Sequence, residues 1–286
     1  MRTGGGGAGR RGWAIALALA LAGAACEPEE GDVAAPPVPG PAQPEAEPPA
    51  PDREQESPAQ RDAAARGAPA DEGCDALPSA DELRRLLREA PDRGDAGGLF
   101  GGRKAWAATV NRQGEVCTVV VSTDDAADAW PGSQSIAKAK AYTANAFSTD
   151  AAPLSTARLY TLAQPGHSLY GIAAGNPLHA DCMAKPEDHE AAERRVCGGT
   201  IAFGGGVPLY RDGRRAGGLG VSGDTACADH EIAKRIRGAA GLDPPGGPTS
   251  DDITFADADG PSPFAHPLCP NTIRNGQALG DEAPGS

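Results

Sequence analysis

The sequence predicts an α+β domain of roughly 200 residues whose strands pair as antiparallel hairpins. Three observations predict it. Strand-like segments meet at Gln113-Gly114 and again at Asp212-Gly213, the second a strong two-residue turn signal. Helical spacing of apolar residues recurs before, between and after these hairpins. The first 72 of the 286 residues have the composition of a leader and a linker, so only the remainder can share a core.

In chain order, Ser79 is placed to cap a short helix, 81–90, with Leu83, Leu86 and Leu87 on one face and Arg84, Arg85 and Arg88 on the other. Residues 94–102 form a glycine-rich loop. Strands follow at 105–112 and 115–122, the second carrying Val116, Val119, Val120 and Val121. A helix over 134–148 repeats Ala137, Ala141, Ala144 and Phe147, small enough to let it lie close to a sheet. A further helix is expected at 154–162, ending before Pro165-Gly166. Residues 173–198 read as an insertion. A short strand at 200–203 precedes the hairpin 207–211 and 214–222. The helix 225–238 turns Ala228, Ile232, Ala233, Ile236 and Ala239 inward. From residue 243 to 286 the chain reads as an irregular Pro/Gly-rich tail.

The start of the chain has the three parts of an export signal over residues 1–25. Arg2, Arg10 and Arg11 precede an apolar run from Trp13, and Ala22 to Ala25 supply the small-residue end. That run is about half the ~20 residues a membrane-spanning helix needs, which excludes a polytopic membrane protein. Cys26 resembles the lipidated first cysteine of a bacterial lipoprotein. It departs from that pattern at Gly23, where Leu, Val or Ile is usual, and ordinary cleavage near Ala22 to Ala24 is the rival. Residues 27–72 contain 11 of the 27 prolines, 12 acids and no aromatic residue. Such a tract buries too little apolar area to offset its ordering entropy and is expected to be an extended tether.

The formal net charge of -13 excludes nucleic acid as a partner, because neutralising phosphates needs clustered Lys and Arg. Seven cysteines leave six once Cys26 carries lipid: Cys74, Cys117, Cys182, Cys197, Cys227 and Cys269. Six allow 15 connectivities. Spacing suggests Cys182 with Cys197 around one segment, Cys227 with Cys269 tying the tail to a helix, and Cys74 with Cys117 as the remainder. Export makes disulfides the default. Zinc held by His179, Cys182, His189 and Cys197 is the alternative, at a spacing looser than a zinc ribbon.

Several motifs tempt and fail. Gly218-Leu-Gly-Val-Ser-Gly223 matches a dinucleotide fingerprint, but no second parallel strand follows its helix. These glycines instead permit close approach by a packed helix or a ligand. Ser135-x-x-Lys138 lacks the companion motifs of penicillin-binding enzymes. His189-Glu190 and His230-Glu231 both lack the second histidine of a zincin.

Four passages between Arg103 and Leu242 resemble the GlcG/HbpS-like haem-binding family, which includes the C-terminal domain of PduO. They are the Gln113-Gly114 hairpin, the helix from Ala137 to Phe147 with its Lys-Ala-x-Thr-Ala-like pattern, the loop Gln164-Pro-Gly-His167-Ser-Leu-Tyr170-Gly-Ile172, and Phe203-Gly-Gly-Gly-Val-Pro-Leu209 followed by Gly218 to Gly223 and Asp229-His230. The resemblance implies a profilin-like three-layer α/β/α domain over residues 73–242, with a five-stranded antiparallel sheet. It also implies oligomers in some members, haem binding in others, and haem degradation in a secreted one. The cysteines, the 173–198 segment and the tail depart from the family.

Haem needs an axial donor in apolar surroundings. His167 is the first candidate, beside Leu169 and Tyr170, with His230 second and His266 third. Arg158 and Arg211 are the local cations for haem propionates. If Cys227 pairs with Cys269, the tail covers the outer face of the last helix and brings His266 near His230. Two classes stay open: a lipid-anchored envelope protein that binds and could degrade haem, and a non-catalytic envelope module for another small ligand or partner. No nucleophile–base constellation marks a hydrolase.

Overall fold

The computed structural model describes residues 73–183 and 195–282. The expected export signal, Cys26 and the proline-rich tract lie outside the described residues, as does His189 of the zinc alternative. None of the described helices is long and apolar enough to cross a membrane.

Strands β1 (Trp106–Asn111) and β2 (Val116–Val121) form the first hairpin, and β3 (Gly206–Arg211) and β4 (Arg214–Ser222) the second. The two hairpins join through β1 and β4 into an antiparallel sheet ordered β2-β1-β4-β3. Both sheet faces are covered, so β1 is buried along its whole length. Helix α1 (Ala80–Glu89) and helix α3 (Ala226–Ala239) cover one face. There Leu83, Leu86, Leu87, Ile232 and Ile236 pack with Ala107, Val120, Leu209 and Val221. Ser79 and Thr225 cap these helices by accepting the backbone N–H groups of Glu82 and Ala228, each at 3.3 Å. Helix α2 (Ser133–Phe147) covers the other face, where Ala137 and Ala141 pack with Trp106, Ala108 and Val110.

Four strands form the main sheet rather than the expected five. The segment 200–203 does not pair, and its first two amide hydrogens are already used. The Thr200 N–H goes to the Asn176 carbonyl at 3.0 Å, and the Ile201 N–H goes to Thr143 Oγ1 of α2 at 3.0 Å. The expected helix at 154–162 is instead two short 3-10 turns, Thr156–Leu159 and Thr161–Ala163. Its first residues are claimed by other partners. Ser155 Oγ donates to the Asp251 carbonyl, and Thr156 Oγ1 donates to the Phe203 carbonyl while accepting the Gly206 N–H.

The tail is more ordered than its composition suggested. It carries β5 (Thr254–Phe255) beside β6 (Ala265–His266), and β7 (Thr272–Arg274) beside β8 (Gln277–Gly280). Disulfides join Cys74 to Cys117, Cys182 to Cys197, and Cys227 to Cys269. The last fixes the tail to the first turn of α3.

Candidate functional site

The chain leaves the 3-10 turns into the loop 164–171, which closes on itself through local bonds. The His167 N–H donates to the Gln164 carbonyl, Leu169 N–H to that of Leu162, and Tyr170 N–H to that of His167. Gly166 and Gly171 hold positive φ at its two bends. The loop presents His167 at the surface, with Tyr170 66 % exposed and Leu169 half-buried. Arg158 points its Nε to the Asp252 carbonyl at 3.1 Å, and Arg211 gives two hydrogen bonds to the Ala76 carbonyl. Both cations expected at propionates are therefore engaged by backbone oxygens.

The structure brings His230 and His266 together. They flank Gly204, whose N–H donates to His266 Nε2 at 3.3 Å and whose Cα faces the His230 Cβ. Both rings are almost completely buried by the tail. His266 Nδ1 lies 2.7 Å from the Pro267 carbonyl, so that nitrogen donates and Nε2 keeps the lone pair. Burial pushes the His266 pKa down to about 4, leaving the ring neutral at neutral pH. Tyr160 stacks obliquely on it, with ring centres 4.9 Å apart. His230 Nε2 accepts the Ile253 N–H at 3.2 Å and lies 3.3 Å from Asp252 Oδ1, while its Nδ1 has no hydrogen-bond partner among the described residues.

Three buried ion pairs complete this region, and sequence reasoning missed all three. Lys140 Nζ donates to Asp229 Oδ2 at 2.8 Å and to the Val221 carbonyl at 2.9 Å. Burial pushes the Asp229 carboxyl up to about 6 and the Lys140 ammonium down. A signal existed: Lys140 shares a helical face with Ala137 and Ala144, and Asp229 borders the apolar stripe of α3. Further along α3, Arg237 holds Asp251 through two bonds of 2.8 Å, and Lys234 holds Asp252 at 2.8 Å. Burial pulls the Asp252 carboxyl up but His230 and Lys234 prevail, holding it below the usual carboxylate range.

The glycine-rich strands are occupied by the protein itself. A Cβ at Gly218 or Gly220 would stand 2.2 or 2.0 Å from the carbonyl oxygens of Ala141 or Ala137 in α2. At Gly206 it would meet Thr156 and Lys140. A packed helix, not a flat ligand, uses the space these glycines leave. On the zinc alternative, Cys182 and Cys197 are bonded to each other and His179 Nδ1 faces Asp181 at 3.6 Å.

Residues 84–237, over half of the chain, match the family described as haem degrading protein HbpS-like. The corrinoid adenosyltransferase PduO of Salmonella typhimurium is 35% identical over 107 residues, 37% of this chain and 24% of PduO. The Citrobacter freundii enzyme of that name is 34% identical over the same shares. The chain thus spans about a quarter of the curated relatives it matches. Among solved structures, a PduOC:heme complex is 26% identical, covering 58% of this chain and 97% of that one at a TM-score of 0.40. A Streptomyces reticuli HbpS double mutant is 18% identical, covering 57% and 86% at 0.34.

Proposed function

We propose that this chain, which belongs to the HbpS-like family, binds haem through His167. The observation that carries the reading is the contrast among its histidines. His230 and His266 are sealed beneath the tail, and His179 faces Asp181, whereas His167 stands exposed on a glycine-bounded loop beside Tyr170. A bound haem would supply a porphyrin iron needing one nitrogen donor and apolar contact on its faces. His167 offers the donor, and Leu169 with Tyr170 the contact. The family's description makes haem breakdown the finer reading. Cys26 lipidation would tether the domain to a cell envelope through the 27–72 tract.

The test is a haem titration of the full exported chain. A Soret shift is expected, lost in His167→Ala and kept in His230→Ala. An unmodified chain that leaves the Soret band unchanged rejects haem and favours the non-haem binding module. Bleaching of the bound Soret band under reductant and oxygen would add degradation to binding.

A further inference from the structure

The Cys227–Cys269 bridge lies against His266, and among the described residues these three make a cluster whose ligand atoms all fall within 4.8 Å of one another. All three side chains are buried. The surroundings suit a thiolate once the bridge is open. The Cys227 N–H already donates to Cys269 Sγ at 3.1 Å. Cys227 also sits in the first turn of α3, where the helix dipole favours negative charge. His266 Nε2 supplies a neutral nitrogen, which now accepts the Gly204 N–H at 3.3 Å, a bond the metal would displace, while Nδ1 is held by the Pro267 carbonyl, the kind of second contact that orients a ligating histidine. Around them lie Ala157, Ile253 and Phe255. Such an apolar shell disfavours an uncompensated charge, but two thiolates and one divalent ion sum to zero.

We propose that Cys227, Cys269 and His266 form a redox-gated zinc site, closed as a disulfide and open to the metal when reduced. The donor set, two sulfurs and one imidazole nitrogen, is one that zinc accepts with a fourth position for water. In the first step a small dithiol gives two electrons and two protons to the bridge. The Cys227–Cys269 bond breaks, two thiols form, and the dithiol leaves as its cyclic disulfide. In the second step zinc forms two Zn–S bonds and one Zn–N bond, and both thiol protons pass to solvent. The metal then replaces the disulfide as the link between α3 and the tail. This site is separate from the His167 loop and does not rest on haem binding.

The experiment uses the full chain, reduced with a dithiol that is then removed without air, and titrated with cobalt as a spectroscopic stand-in for zinc. Reduced protein should bind one equivalent with the visible bands of tetrahedral cobalt and a sulfur-to-cobalt charge-transfer band. Oxidised protein should give neither. The bands should survive in Cys182→Ser/Cys197→Ser and in Cys74→Ser/Cys117→Ser, and be lost in Cys227→Ser and in His266→Gln. Because a reduced variant can lose its fold, alkylation mapping of the unmodified chain is the second measurement. Zinc should protect Cys227 and Cys269 and leave Cys74, Cys117, Cys182 and Cys197 reactive. Absence of cobalt bands in the reduced chain, bands that persist in Cys227→Ser, or protection confined to Cys182 and Cys197 would each overturn the proposal.

Discussion

The sheet face beneath α2 and the outward face of α3 are sealed by opposite means. Beneath α2 the seal is made of missing atoms. Alanines of the helix meet glycines of β4, and backbone lies on backbone. Over α3 the seal is made of hydrogen-bonded polar and charged side chains. His230, Lys234 and Arg237 project outward, and the tail arrives with Asp251, Asp252 and a cysteine to meet them. The first surface has no room for an added methyl. The second cannot spare a charge. Dispersion and burial hold one layer, and paired desolvated ions with a covalent tie hold the other.

Removing one ion should have the largest effect. Arg237 is completely buried and satisfies Asp251, itself completely buried, through two hydrogen bonds. Arg237→Met would fill similar volume and strand a carboxylate, costing about 4 kcal/mol in chemical denaturation. A loss under about 1 kcal/mol would mean that the tail is held by its disulfide alone.

Adding one methyl comes next. In Gly220→Ala the new Cβ would stand 2.0 Å from the Ala137 carbonyl oxygen and 2.6 Å from the Ala141 nitrogen, both rigid helix backbone. Overpacking of this kind should cost about 3 kcal/mol. Gly213 gives the contrast. It sits at the hairpin turn with φ +76° and nothing within 4 Å, so Gly213→Ala carries only the backbone penalty of about 1 kcal/mol. Equal losses at the two sites would remove close packing as the reason for glycine in β4.

This contrast also explains which parts were legible in the sequence. The hairpin at Asp212-Gly213, the leucine face of α1 and the alanine face of α2 are local patterns, and the structure carries all three. The 200–203 strand failed because a distant residue, Thr143, takes its amide. The helix expected at 154–162 failed because Ser155 and Thr156 serve Asp251 and Phe203, far along the chain. The tail was misread for the same reason: its order comes from partners on α3 rather than from its own composition. At the site, the tail's closure over α3 and the approach of His266 to His230 followed from one disulfide and a helical wheel. The Lys140–Asp229 pair did not: each charge could be placed beside an apolar helical face, but two charges on separate helices carry no shared spacing that would pair them.

The smallest effect concerns the pH response of the tail-covered layer. The folded pKa of His266, near 4, lies below the ordinary histidine value of 6.5 because burial disfavours the charged ring. The unfolded chain therefore takes up this proton first on acidification, and the stability tied to the neutral ring is lost as pH falls from about 6.5 toward 4. Between pH 7 and pH 5 that loss amounts to about 2 kcal/mol. Asp229 acts in the other direction. Its folded pKa, near 6, lies above the ordinary carboxylate value, so its share of stability is present at low pH and lost as pH rises through 6. The two partly cancel in the unmodified protein, which is why the variant is the informative measurement. His266→Gln removes one of the two opposing groups. The stability difference between unmodified chain and variant should shrink by about 2 kcal/mol on going from pH 7 to pH 5. A difference that stays constant across that interval would mean that His266 is already protonated under the tail, with its charge answered by the Pro267 carbonyl.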